Sequence, residues 1–134
     1  MYKVVKEVRW EAAHRLLRYE GKCANIHGHS YKAIFTFESN DLDEKGMVID
    51  FTVLKEKIQG WIDGNWDHAL ILNVADNFKN IIKTNKYFAI SGNPTAEKMA
   101  EFLFYYFRPE FQNVNLVSVE VFEGLKSSAI YTLR

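Results

Sequence analysis

The chain has one cysteine among its 134 residues and only two prolines, and neither charge sign is in excess, since seventeen Lys and Arg balance seventeen Asp and Glu. A lone cysteine cannot close an internal disulfide, which fits a reducing compartment. Charge balance with scattered basic residues leaves no electrostatic footprint for nucleic acid or an anionic membrane. No apolar run approaches the roughly 18 residues that would span a bilayer. The opening MYKVVKEVRW alternates and has no apolar signal core. The expectation is a cytoplasmic chain with no nucleic-acid or membrane partner. Long linkers, repeats and low-complexity tracts are also missing, so residues 1–134 read as one domain, long enough to bury roughly two thirds of its unfolded surface.

What is present is a pattern of strands at both ends and helices between. Tyr2 to Ala12 places Val4, Val8 and Trp10 on one alternating set, and Tyr31 to Phe37 alternates around Ala33, Phe35 and Phe37. The two should pair as an antiparallel hairpin, with Leu16 to Ile26 as a loop between them. Leu54, Ile58, Trp61 and Ile62 recur at helical period, and Gly64-Asn65 ends that helix. Asn93-Pro94 reads as N-cap and first residue of a second helix, with Met99, Leu103, Tyr106 and Phe107 as its buried stripe and Pro109 as its stop. Leu116 to Phe122 and Ala129 to Leu133 close the chain as strands. Residues 69 to 92 carry the weakest pattern, with a short helix around Ile81-Ile82 and a short strand from Tyr87 to Ile90. The expected class is α+β, β-β-α-α-β-β, a four-stranded antiparallel sheet with two helices on one face. Apolar residues on both alternating sets, Val5, Ile34 and Phe122 beside Val4, Phe35 and Val121, leave the second face in need of a partner, so a homo-oligomer is expected.

Chemistry concentrates in CANIHGH, residues 23 to 29, which holds the only cysteine and two of the four histidines. His27 and His29, one residue apart on an extended segment, point to one face. The hairpin brings His14, at the end of the first strand, beside them, and Gly28 is expected to let the backbone approach closely. Three neutral imidazoles suit zinc, and three protein ligands leave the open fourth position of a catalytic site. Cys23 is then either a fourth ligand, closing a structural site, or a free thiol whose anion is favoured by a nearby dication. Spacing does not separate the two. A structural zinc would leave the pair Asp67-His68 without a purpose, whereas an acid or base needs a charge partner of this kind. Read alone, Asp67-His68 is a polar turn at a helix end and Glu123 a strand terminus.

WEAAHRL, CANIHGHSY, GMVIDF, DHALILN, NPTAE and VEVFE, in order from residue 10 to residue 123, resemble the successive signatures of the 6-pyruvoyltetrahydropterin and 6-carboxytetrahydropterin synthase superfamily. The resemblance implies the tunnelling fold, in which three subunits close a twelve-stranded barrel and two trimers stack into a hexamer. It implies Zn2+ on His14, His27 and His29, Cys23 as the catalytic cysteine, and Asp67 and His68 completing the proton-transfer set across a subunit boundary. It makes Glu123 the anchor of the pterin's N–H edge, which a carboxylate accepts as a two-bond fork. Thr95 and Glu97 match a helix start that helps close the pterin pocket. The implied substrate is 7,8-dihydroneopterin triphosphate. Zinc would polarise its side-chain oxygens and acidify an adjacent C–H. The product is either the pyruvoyl compound, with triphosphate eliminated, or the 6-carboxy compound of queuosine and deazapurine biosynthesis, with acetaldehyde also released. The compact chain with CANIHGH and NPTAE looks more like the bacterial and archaeal members that make the latter. A zinc-stabilised pterin-binding protein without turnover is the reading of another class.

Overall fold

The structure, a computed structural model, describes residues 1–83 and 85–134. Strand β1 (Tyr2–His14) pairs antiparallel along its whole length with β2 (His27–Ser39), so that His14 faces His27 and Ala12 faces His29 across the ladder. Strands β5 (Asn115–Glu123) and β6 (Ser127–Thr132) extend the sheet beyond β2, also antiparallel. The expected four antiparallel strands are therefore contiguous, but the sheet has six. β3 (Ala69–Asn73) and β4 (Tyr87–Ile90) add to the other side of β1, both parallel to it, giving the order β4-β3-β1-β2-β5-β6. The four-stranded expectation failed at β3 because Ala69 to Leu72 are all buried. A strand covered on both faces shows no alternation.

One face of the sheet is covered by helices. α1 (Phe51–Leu54) runs through a π-helical turn (Lys55–Gln59) into α2 (Gly60–Asn65), and Asp50 caps its start by accepting from Thr52 N. α3 (Ala96–Phe107) is the second helix. Leu54, Ile58, Ile62, Met99, Leu103 and Phe107 pack on the inward set Val8, Trp10, Tyr31, Phe35, Val119 and Val121. Tyr106, expected in the buried stripe, is 39% exposed. Ile81, expected on a short helix, is exposed and follows a 3-10 turn, Asn77–Asn80. The cap of α3 is Thr95, whose hydroxyl accepts from Lys98 N at 3.1 Å, and not Asn93. Asn93 is engaged elsewhere: its Oδ1 accepts from Leu17 N and its Nδ2 donates to Leu17 O, tying the loop of residues 15–26 to the start of α3.

β3 reaches only Ala12 to His14 of β1. Just before that point side chains take the place of a strand. Gln59 Oε1 accepts from Arg9 N (3.2 Å) while its Nε2 donates to Arg9 O (3.0 Å). Asp67 Oδ1 accepts from Glu11 N at 2.9 Å, and His68 N donates to Glu11 O. The π-helical turn thus ends on a glutamine that imitates a peptide unit, and the Asp67-His68 pair is built into the edge of the sheet.

Candidate active site

The hairpin register delivers His14, His27 and His29 to one end of the sheet, on the face that the helices cover. Their rings meet edge to face with centroids 4.6 to 5.1 Å apart. His14 Nδ1 lies 2.7 Å from Pro94 O and His27 Nδ1 lies 2.7 Å from Asn25 O. A carbonyl only accepts, so both Nδ1 atoms carry their protons and both Nε2 atoms present lone pairs. Those two Nε2 atoms face each other at 3.0 Å. Burial pushes His14 below its ordinary value, outweighing the Pro94 carbonyl and the Glu123 carboxylate, and so favours its neutral ring. Two bare lone pairs at this distance are stable with a cation between them. The donor set fits zinc, for which tetrahedral ligands at about 2.0–2.1 Å stand roughly 3.3 Å apart. Backbone carbonyls that fix the tautomers are the usual outer support of such ligands.

The fourth member of this group is Glu123. Its Oε1 lies 2.6 Å from His29 Nε2 and 3.3 Å from His14 Nε2, and one donor atom from each of the four residues falls within 4.8 Å of the others. The sequence signal was available: Val119, Val121 and Glu123 share a face, and the register sets Glu123 against Tyr31, two residues beyond His29. Cys23 is outside this group, half-buried in a 3-10 turn (Lys22–Ala24) whose carbonyl at Cys23 accepts from Leu16 N at 2.9 Å. Gly28 has ordinary extended backbone, and a Cβ there would sit 3.4 Å from Ala12 O. Close approach does not require glycine at this position. Its missing side chain instead leaves room in a cleft of about 890 Å3 lined by Glu11, Gly28, His29, Ser30, Asp67 and His68.

His68 reaches into that cleft, its side chain 77% exposed, with Nδ1 2.9 Å from Asp67 Oδ2. Burial works to raise the Asp67 carboxyl, but the Glu11 N–H and His68 outweigh it and hold the group below its ordinary value. Asp67 is anionic and orients the ring. His29, a member of the four-donor group, lines the same cleft as His68. Thr95 caps α3 beside Pro94, and Glu97 is exposed on the first turn of that helix.

At this end of the sheet the sequence concealed a buried carboxylate. Asp76, 1% exposed, takes both arms of Arg15, Nη2 at 2.6 Å and Nε at 2.7 Å, and also accepts from Phe78 N. Arg15 follows His14, so this fork anchors the end of β1. Asp76→Ala leaves the guanidinium unpaired, and unfolding in denaturant should show a loss of about 3 kcal/mol, the range for breaking a buried pair. Arg15 holds Asp76 below its ordinary 3.8. The pair's contribution is therefore full above that value and disappears as the pH falls through the lower folded value.

The 6-pyruvoyl tetrahydropterin synthase family model matches residues 3–134. The chain belongs to that family. A 6-carboxy-5,6,7,8-tetrahydropterin synthase of Rickettsia typhi is 36% identical over 132 residues, covering 92% of this chain and 94% of the relative. The protein of the same name from Haemophilus influenzae is 34% identical and covers 98% and 99%. Among solved structures, an uncharacterised protein of Wolinella succinogenes superposes with a TM-score of 0.85 at 24% identity, covering 99% and 98%. Family membership makes the chain a tetrahydropterin synthase by lineage, an enzyme of the lyase type. No helix among the described residues is long and apolar enough to cross a membrane.

Proposed function

We propose that this protein is a zinc-dependent 6-carboxy-5,6,7,8-tetrahydropterin synthase that converts 7,8-dihydroneopterin triphosphate to 6-carboxytetrahydropterin, releasing acetaldehyde and triphosphate. The observation that carries the reading is the convergence of two bare imidazole nitrogens at 3.0 Å, with a third imidazole beside them, at one end of a family fold. The names of the two bacterial relatives favour the 6-carboxy product. The family's own description favours the runner-up, the 6-pyruvoyl product.

His14, His27 and His29 hold the zinc. When bound, it supplies Lewis acidity toward the oxygens of the substrate's side chain. Glu123 takes the pterin's N–H edge, aided by the helix start at Thr95 and Glu97. Cys23, free of the metal, is the base that removes the proton, and His68, oriented by Asp67, carries protons on its exposed Nε2. The exposure of His68 suits service to a neighbouring subunit's thiol in a hexamer built as a dimer of trimers. The assembly reading predicts that sedimentation finds the active species at a multiple of three chains. A fully active monomer would remove the shared site.

The deciding experiment incubates the zinc-loaded protein with 7,8-dihydroneopterin triphosphate and identifies products by mass. The 6-carboxy product with acetaldehyde supports the reading, and the pyruvoyl product supports the runner-up. Bound pterin with no turnover would make the protein a binder.

A further inference from the structure

The chain turns sharply between α2 and β3, and the residue at the turn is the one that reaches into the cleft. Trp66 N and Asp67 N both donate to Ile62 O at 2.9 Å, after which His68 takes φ 59° and Ala69 starts β3. Among the described residues other than glycine, only Arg18 shares a positive φ with it. Glycine or asparagine is the usual choice at such a helix end, and a larger side chain in the left-handed region persists only where its surroundings impose it.

We propose that Lys86 is a positioning residue for the Asp67-His68 pair, fixing the peptide between them so that the His68 ring stays in the cleft against Asp67. That the pair moves protons rests on the function proposed above. That Lys86 holds its geometry does not.

Lys86 stands immediately before β4, half-buried, and its carbonyl accepts from Leu70 N at 3.2 Å, so the β3–β4 ladder fixes its backbone. Its ammonium reaches back to the end of α2 and donates to Asp63 O at 2.9 Å and to Asp67 O. The first bond is ordinary, since cations at helix C-termini satisfy carbonyls that the helix leaves without partners. The second lies beyond the helix, on the peptide unit that joins Asp67 to His68. The N–H of that same unit donates to Glu11 O. One end of the peptide plane is thus held by β1 and the other by Lys86. Rotation of this plane is the motion that would carry ψ of Asp67 and φ of His68 away from the left-handed turn, and the two bonds together oppose it. The His68 ring is 77% exposed, so packing does little to orient it and the backbone and Asp67 must. The two parallel strands that alternation did not disclose therefore deliver a cation to the pair.

The test uses the zinc-loaded full chain with Lys86→Met, which keeps the stem and removes the donors, and Lys86→Arg, which keeps donors. In the resting protein with nitrogen-labelled histidine, the neutral His68 ring should carry its proton on Nδ1 in the wild type and in Lys86→Arg. In Lys86→Met it should populate both tautomers. The kcat of Lys86→Met should fall about tenfold to a hundredfold, the scale for a misplaced catalytic group, with KM and zinc content unchanged, and Lys86→Arg should recover most of it. In the His68→Ala background Lys86→Met should cost nothing further. An unchanged tautomer in Lys86→Met overturns the proposal, and so does an equal loss of kcat in the His68→Ala background. A changed tautomer with unchanged turnover upholds the positioning and removes the pair from proton transfer, so that the functional reading has failed instead. If Lys86→Met does not fold, Lys86→Gln, one bond too short to reach Asp67 O, is read in the same two ways. Unfolding of both would make Lys86 a stability residue and overturn the proposal.

Discussion

Cys23→Ala should keep about one zinc per chain while its turnover of dihydroneopterin triphosphate falls by about two to four orders of magnitude, the usual contribution of a positioned base. The geometry makes the metal half of this expectation specific. The four-donor group is complete without sulfur, and Cys23 stands outside it on its own 3-10 turn. The half-buried thiol leaves only a small void, so stability should change little. Metal analysis beside single-turnover kinetics separates the alternatives that spacing could not. Parallel loss of zinc and activity would make the cysteine a ligand and the centre structural.

Asp67→Asn should fold normally and lose turnover by a comparable factor. Asp67 has two tasks on two oxygens: Oδ1 accepts from Glu11 N in the sheet edge, and Oδ2 accepts from His68 Nδ1. Asparagine keeps the first with its carbonyl oxygen. Toward His68 it presents an N–H2, which can only donate, so Nδ1 must become the acceptor and the proton moves to Nε2. The outward nitrogen then cannot take a proton, and the carboxylate that stabilised the imidazolium is gone. His68 is largely exposed and asparagine keeps the bond to Glu11 N, so the fold should lose under about 1 kcal/mol. Nitrogen chemical shifts of His68 would report the tautomer directly. Unchanged kinetics with the tautomer reversed would remove His68 from the proton-transfer set.

The sequence was most legible where one face of an element is buried. β1 and β2 alternate cleanly, and their pairing, with His14 opposite His27, follows from joining two amphipathic strands by one loop. The stripe at Leu54, Ile58 and Ile62, which runs from α1 through the π-helical turn into α2, is likewise periodic, and all three are fully buried. Legibility fell where burial loses its period or where a side chain's partner is remote. β3 is buried from Ala69 to Leu72 and only five residues long, so it has no alternation to mark it as a strand. Asn93 has the composition of a cap but is drawn away by a loop 76 residues earlier, leaving the cap to Thr95. Arg15 and Asp76, 61 positions apart, carry no local mark of their pairing. In the site, the histidines were readable from spacing, whereas the approach of Glu123 to them required the β2–β5 register.

The side chains of Gln59 and Asp67 that seal β1 at Arg9 and Glu11 also decide how chains can add to one another. Between Tyr2 and Val8, β1 has no strand on that side among the described residues, so a stretch of seven residues stays open and stops at the seal. At the far side of the sheet β6 offers a second open edge, six residues long, Ser127–Thr132. The two lengths differ by one residue, and the two edges are unlike. A contact between unlike edges is head to tail, and successive head-to-tail contacts either wind into a filament or return to the first chain as a ring. In the assembly proposed above, the seal would stop an incoming strand short of His68 and fix its register, so that each chain would turn its neighbour by the same angle and sheet twist would set how many chains complete the circle.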